Sequence, residues 1–355
     1  MTLHAMIRLL FYPLLVFSIS CGRSPQRAGG GTDSSTVGDS SSVGGLVWTG
    51  DTVRLVMRFA KGETFGYEIT EKQRVEMARD SAVEKSAQTL SHAYRFEVLD
   101  VRPDGSARLR ATCLHVRLDG DYSEPGGRKV MHYDSREKNE PAKEKMFARF
   151  NAPVNTPFEI VLTPEGRVSA VRAPDEIARR LLRDDYTKVS KEARDKIATS
   201  YTEDDLKGTI QKAFQKVEDK AVGVDSSWKH VWTGSIGYLK IRNEATYVLQ
   251  GFRETPQGRI ASIGGTLVST YIGPDVLDTG QGNATVHEFR VEGTATTAFS
   301  LREGKPLSRS LVQKLSTRFY VEPPPELKQI APDQAKNFWW TQRAVIENTI
   351  ERLSF

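Results

Sequence analysis

From residue 52 onward, apolar and polar side chains alternate along most of the chain. The stretch TVRLVMRF (52–59) and, after the turn AKG, ETFGYEITEKQRVEM (63–77) both keep a period of two. That period puts one set of side chains on a covered face and the other in water, which predicts half-buried strands. YRFEVLDV (94–101) and SARLRATCLHVRL (106–118) flank RPDG, with Pro103 and Gly105 where a tight turn takes them. FEIVLTPEGRVSAVRA (158–173) reads as a further hairpin with Pro164 and Gly166 at its tip.

Residues 174–219 break the alternation and are rich in Lys, Glu, Asp, Arg and Ala. Leu206, Ile210, Phe214 and Val217 recur at helical spacing and form one apolar stripe. Thr202-Glu203-Asp204-Asp205 before them has the form of an N-cap with acids in the first turn. A shorter helix is expected over 174–183, with Ile177, Leu181 and Leu182 facing in.

After residue 224 the period of two returns in SSWKHVW, GYLKIRNEATYVLQGF, RIASIGGTLVSTYI, NATVHEFRVEGTATTAFSLREG and SRSLVQKLSTRFYV. The closing FWWTQRAVIENTIERLSF admits a helix face through Val345, Ile346, Ile350 and Leu353. Its β-prone residues, led by Trp339, Trp340 and Thr341, favour a final strand. The expected fold is mainly β (α+β), with two antiparallel β-sheet halves, residues 47–173 and 220–355, and the helical segment 174–219 inserted between them.

The two halves echo each other. Tyr94, Pro103 and Gly105 match Tyr247, Pro256 and Gly258 at a constant offset of 153. Glu165-Gly166 and Glu303-Gly304 match at an offset of 138. The order of elements recurs as well, which favours a duplicated unit. The plainer reading, that hairpins share turn residues, stays open beside it.

The start of the chain has a different character. The apolar run Leu9–Ile19 is eleven residues long and contains Pro13. A spanning helix needs about 20 apolar residues, so the run has the length of a signal-peptide core instead, and residues 1–20 are expected to be removed. Two readings follow for Cys21. In one, Ser20–Cys21 is an ordinary small-residue cleavage site, and the mature protein is soluble and secreted or periplasmic. In the other, SISC is a lipobox and Cys21 carries the acyl chains, palmitate among them, that anchor the protein in a membrane. Ser18 stands where such boxes usually carry an aliphatic residue. The Gly/Ser-rich stretch that completes residues 21–46 has almost no apolar content and favours the lipobox, because a flexible tether suits an anchored domain. Its reach is roughly 25–30 Å from random-coil scaling. Gly22, in place of Asp, resembles outer-membrane sorting in some bacteria.

Charge and cysteine content narrow the function. Without Arg8 of the signal, 49 Lys and Arg face 45 Asp and Glu, a net charge of +4. Basic clusters such as GGRKVMHYDSREKNEPAKEK are interleaved with acids, so no nucleic-acid footprint is present. With Cys21 acylated, Cys113 has no partner, and its alternating context reads as a small core residue on a strand.

No constellation meets the requirements of catalysis. Tyr133-Asp134-Ser135 reads as a side-chain-capped turn at a strand end. Asp278-Thr279-Gly280 is the tripeptide of aspartic proteases, but those enzymes need two such carboxylates and the chain has one. His4, His92, His115, His132, His230 and His287 show no metal-ligand spacing. No phosphate-binding loop or nucleophile elbow occurs. The expectation is a protein with no cofactor and no metal that is not an enzyme. Trp228, Trp232, Trp339 and Trp340 read first as core, with the lining of a hydrophobic ligand site as the alternative.

KGETFGYEIT, Tyr133-Asp134-Ser135, FEIVLTPEGRV, VGVDSSW and LREGKPLSRS together resemble an uncharacterised family of bacterial envelope lipoproteins. Members carry a domain of unknown function with two β halves. In that pattern Gly directly precedes Asp-Ser-Trp; here Gly223 is displaced and Ser226-Ser227 is doubled. The resemblance spans roughly residues 48–355 and implies neither a substrate nor a catalytic residue. Two functions remain. One is a binding or carrier module for a hydrophobic or lipid ligand, anchored in the envelope and facing the periplasm from the outer membrane. The other is an interaction lipoprotein that docks to another envelope component. A continuous apolar pocket of several hundred Å³ or more favours the first and a filled core with a flat exposed patch the second.

Overall fold

The computed structural model describes residues 52–355 except 81, 125–126, 186, 193, 195–203, 215, 219, 237–238, 279–281, 325–328, 330–335 and 355. Cys21, the signal segment and the tether lie outside the described residues, as do Thr202, Glu203, Thr279 and Gly280.

The chain opens with β1 (Thr52–Arg54), followed by a meander of β2 (Thr64–Arg79), β3 (Ala82–Val101) and β4 (Ala107–Glu124). β5 (Gly127–Asp134), α1 (Pro141–Met146), α2 (Ala148–Asn151), β6 (Phe158–Leu162) and β7 (Val168–Arg172) complete the first half. α3 (Asp175–Leu182) and α4 (Asp204–Ala213) come next. The second half runs through β8 (Ala221–Gly223), β9 (Ser227–Ile236), β10 (Leu239–Thr255) and β11 (Gly258–Tyr271). It ends with β12 (Val276–Asp278), β13 (Asn283–Ser300), β14 (Lys305–Glu322) and β15 (Phe338–Leu353). The closing segment is thus a strand.

Both halves are antiparallel meanders, and they merge into one 13-stranded sheet with the path β7-β6-β4-β3-β2-β15-β14-β13-β11-β10-β9, off which β5 pairs with β4 and β12 with β13. The last strand, β15, lies between β2 and β14 and joins the halves along a continuous register from Trp340↔Arg79 to Leu353↔Gly66. β1 and β8 form a separate two-stranded sheet that also links the halves. Bulges at Ala93/Tyr94 and Val98/Asp100 on β3, and at Leu249/Gly251 on β10, add local twist to strands far longer than usual.

The echo seen in the sequence has a counterpart in space. Gly105 and Gly166 sit in the β3–β4 and β6–β7 turns at φ near +80°, which only glycine adopts readily. The first turn rests on the second, with an added Cβ at Gly105 standing 3.0 Å from Pro164. In the second half the β10–β11 turn rests on the β13–β14 turn in the same way, through Gly258 and Arg302.

Alternation decides which face is buried. On β2, Phe65, Tyr67, Ile69, Glu71, Gln73, Val75 and Met77 all point inward. Their register neighbours continue this inner face across the sheet, from Leu118 on β4 to Trp228 on β9, and it is buried except around Gly265, Ala295 and Leu311, which are partly buried. The sheet therefore curls around its own contents. At one end Phe65, Tyr67, Phe96 and Phe214 form an aromatic cluster with ring centroids 5.3–6.4 Å apart. Leu206 and Ile210 on α4 are buried beside it, and so is Val217; the helix stops at Ala213, so Phe214 and Val217 of the expected helical stripe lie just past its end. At the other end Val75, Leu315, Phe319, Trp340, Ala344 and Ile346 make a second core.

Candidate functional site

Between the two cores the inner face turns polar. Glu71 and Gln73 on β2, Gln313 on β14, Asn348 on β15 and Asn243 on β10 are buried there, and Thr317 on β14 and Gln342 on β15 are buried within the second core. Each occupies a phase of its strand that otherwise carries apolar side chains. Gln73 Oε1, Asn243 Nδ2, Gln313 Nε2, Thr317 Oγ1, Gln342 Nε2 and Asn348 Oδ1 find no protein partner among the described residues. Buried polar groups are almost always hydrogen-bonded, so these atoms form a belt of unused donors and acceptors.

A cavity of about 100 Å³ opens on one side of the belt, roofed by α4 and the segment that follows it. Its floor comes from inner-face positions on consecutive strands: Asn348, Leu311, Ala295, Gly265 and Tyr247 lie in one row of register partners. Small residues at Gly265, Ala295 and Ala245 make the space. A Cβ at Gly265 would stand 2.9 Å from the Tyr247 ring and fill part of the floor. Phe214 closes the cavity from above, and Leu267, Leu311 and Trp232 complete its apolar walls.

α4 is fixed over this floor by its own polar contacts. Gln211 Nε2 donates to the Gly166 carbonyl at 2.8 Å, and its Oε1 accepts from the Val168 N–H at 2.8 Å. Lys212 Nζ donates to Glu71 Oε2 at 2.6 Å. Arg309 on β14 donates to the Lys212 carbonyl at 3.1 Å, and its Nε is buried without a partner among the described residues. Lys216 meets the His230 ring and lies over the face of Trp232, 5.6 Å from its centroid. Burial and the Lys216 ammonium push His230 down to about 4, so the ring is neutral at neutral pH. The lining therefore carries Lys212, Lys216 and Arg309 against one carboxylate, Glu71.

The four tryptophans do not converge. Trp232 lines the cavity. Trp228 stands next to it on β9, its ring 5.8 Å from Tyr247. Trp340 belongs to the second core. Trp339 points to the opposite face, against Tyr320, His287 and Arg318. Neighbours on a strand face opposite sides, which is why Trp339 and Trp340 part company.

The residues singled out for chemistry hold structure instead. Asp134 accepts from the Arg136 N–H at 2.9 Å and from the Arg136 guanidinium at 2.6 Å, which holds its carboxyl down at about 2. Ser135 Oγ accepts from the Val116 N–H at 2.9 Å. Tyr133 packs on Phe147 with ring centroids 4.8 Å apart. These contacts are those of a capped turn after β5. Cys113 is buried, and burial pushes its thiol up to about 12. Among the described residues no group of three His, Cys, Asp or Glu side chains is placed to hold a metal ion.

Arg309, Gln313, Asn348, Lys212 and Lys216 are absent from the sequence-level candidates. The available signal was a polar residue in the apolar phase of a strand, and it needed the strand phase to be known.

The chain matches the model of a family of unknown function, DUF6263, over residues 123–301, just over half of its length. The protein belongs to the DUF6263 family. No curated protein matches this DUF6263 chain. Among solved structures it is similar to a lipovitellin described for its lipid–protein interactions, at 10% identity and a TM-score of 0.43. That match covers 81% of this chain and 25% of lipovitellin, so the chain spans a quarter of that protein's length. An outer membrane channel from Pseudomonas putida F1 matches at 7% identity and a TM-score of 0.17, over 82% of this chain and 97% of the channel. A DUF1329 family protein from Desulfovibrio piger matches at 11% identity and a TM-score of 0.10, over 80% of this chain and 85% of its own.

Proposed function

We propose that this DUF6263 protein is a non-enzymatic, lipid-anchored module of the bacterial cell envelope that binds a hydrophobic ligand. The ligand lies between α4 and the inner face of the curled sheet. The observation that carries this reading is the apolar cavity roofed by α4, built on a floor of small residues at Ala245, Gly265 and Ala295. At about 100 Å³ the cavity is smaller than the several hundred Å³ of a full ligand pocket, and what supports the reading is its apolar lining under a helical roof, since well-packed cores leave few voids larger than a water molecule. An acylated Cys21 and the Gly/Ser-rich tether hold the module at the outer membrane, facing the periplasm.

Native mass spectrometry of the full chain with Cys21→Ser, expressed in a bacterial host, tests the binding function. The substitution removes the anchor, so any retained lipid is cargo. A reproducible extra mass that extracts into organic solvent is expected. A clean apo mass, with no uptake when lipid extract is added, overturns the reading.

One observation favours a second reading, a docking lipoprotein. The outer face holds an open groove of about 950 Å³ whose lining carries Arg74, Lys85, Arg128, Arg290, Lys314 and Arg343 against Glu76, Asp121 and Glu292. Most of these cations are already paired: Arg74 with Glu347, Lys85 with Glu76, Arg128 with Asp121 and Arg290 with Glu292. A solvated sheet face has this appearance, and the groove carries less weight than the cavity.

A further inference from the structure

The cavity has two unlike ends. Toward β9 and β10 it is lined by Trp232, Tyr247, Ala245 and Leu267. Toward β14, β15 and α4 it is lined by Arg309, Gln313, Asn348 and Lys212. Gln313 and Asn348 are each 3% exposed, and Gln313 Nε2 and Asn348 Oδ1 are unpaired among the described residues. Arg309 gives one N–H to the Lys212 carbonyl and forms no ion pair among the described residues. Its buried Nε–H remains as a donor. The Lys212 charge is answered by Glu71. That leaves Arg309 as the cation at this end of the lining with no carboxylate of its own among the described residues.

We infer that the ligand of this cavity is an amphiphile with a single acidic head, which accepts hydrogen bonds from Arg309 and Gln313 while its tail lies against Trp232, Tyr247 and Leu267. The inference rests on the hydrophobic-ligand reading above and adds the chemistry of the head. A buried guanidinium N–H without an acceptor is costly, and a carboxylate is the group that satisfies it best. The cavity itself has room for the head and the first few carbons, and a longer tail runs along the apolar walls toward β9. A neutral head would leave the Arg309 charge unanswered, and a cationic head would be repelled by it.

The test compares decanoate, decanol and decylamine as probes. Binding to the full chain with Cys21→Ser is followed by Trp fluorescence and isothermal calorimetry at neutral pH. Decanoate is expected to bind about 10-fold or more tighter than decanol, the scale of one charge-assisted hydrogen bond in a desolvated site, and decylamine weaker still. Arg309→Gln is expected to bring the decanoate-to-decanol ratio close to one. The probe comparison uses the parent fold, so it decides the matter even where Arg309→Gln unfolds the protein. Equal binding of decanoate and decanol, or tighter binding of decanol, overturns the acidic-head inference and leaves the hydrophobic-ligand reading in place. No binding of any of the three overturns both.

Discussion

Lys305 and Glu63 lie 242 residues apart in sequence, yet the Lys305 ammonium stands 2.7 Å from Glu63 Oε1. The same ammonium donates to the Arg58 carbonyl at 2.7 Å, and Lys305 is only 2% exposed. Phe59 and Phe65 present their ring faces to it, with centroids 5.4 and 5.2 Å away. Arg58 and Glu63 precede β2, whereas Lys305 begins β14, so this one side chain fastens the two meanders at the end of the sheet where their turns gather. The backbone repeats the pattern: Met57 N–H donates to the Pro164 carbonyl in one turn and Arg58 N–H to the Gly304 carbonyl in the other.

Truncating one partner of a buried ion pair leaves the other charge without its counterpart, which costs about 3–5 kcal/mol. Lys305→Ala is expected to fall at the lower end of that range, because Glu63 keeps a quarter of its side chain in water. A double-mutant cycle with Glu63→Gln, read by urea unfolding, separates the pair from the other contacts of Lys305. A coupling energy near zero refutes the fastening role.

Gly265 is open to a direct test of the cavity floor. Its added Cβ would meet the Tyr247 ring at 2.9 Å and the Ala295 Cβ at 3.4 Å. Gly265→Ala therefore forces the Tyr247 ring to give way and costs about 1–3 kcal/mol of stability by overpacking. The lost volume weakens binding of charged and uncharged probes alike. That pattern differs from Arg309→Gln, which acts on the head. Calorimetry with decanoate and decanol distinguishes the two, and unchanged affinity for both probes in Gly265→Ala counts against the cavity as the ligand site.

Much of the fold is legible in the sequence because strand alternation and helix spacing are local properties. Leu206 and Ile210 are buried along α4, with Phe214 and Val217 buried just past its end, and the hairpin tips at Gly105 and Gly166 fall where the turn residues indicate. The joining of two halves into one sheet is not local. Nothing in FWWTQRAVIENTIERLSF says that Ala344 pairs with Val75 on one side and Leu315 on the other. The site is hidden for the same reason. Gln313 and Asn348 are ordinary polar residues until the phases of β14 and β15 turn them inward, and their row meets α4 only through the curl of the sheet. The paired tryptophans attract attention by size, yet Trp339 and Trp340 face opposite sides far from the cavity.

The anchor makes a separate prediction. If SISC is a lipobox, cells fed a labelled palmitate transfer label to the protein, and the protein fractionates with outer membranes. Cys21→Ser is expected to abolish labelling and release the protein from the membrane fraction. Membrane retention of an unlabelled wild-type chain removes acylation from the proposal.

Acid is expected to weaken the fold through His230. Burial and Lys216 lower its folded pKa to about 4, against an ordinary value of 6.5. Between those two values the unfolded chain binds a proton that the folded chain does not. The His230 contribution therefore falls as pH drops from 6.5 toward 4 and levels off below, while His92, pushed down to about 3 by burial, adds an acid loss of the same sign that continues to lower pH. The slope from one such group is at most about 1.4 kcal/mol per pH unit, and less here because His230 is only half-buried and solvent screens part of the effect. Asp134 adds nothing in that window, because its folded pKa of about 2 and its ordinary value of 3.8 both lie below it. His230→Gln keeps a polar group beside Lys216 but cannot take up the proton. Urea unfolding at a series of pH values is expected to show a shallower acid slope in that variant. The same Lys216–His230 pair borders the cavity, so ligand affinity is expected to track the transition as well, and an identical slope in both proteins rules His230 out as its source.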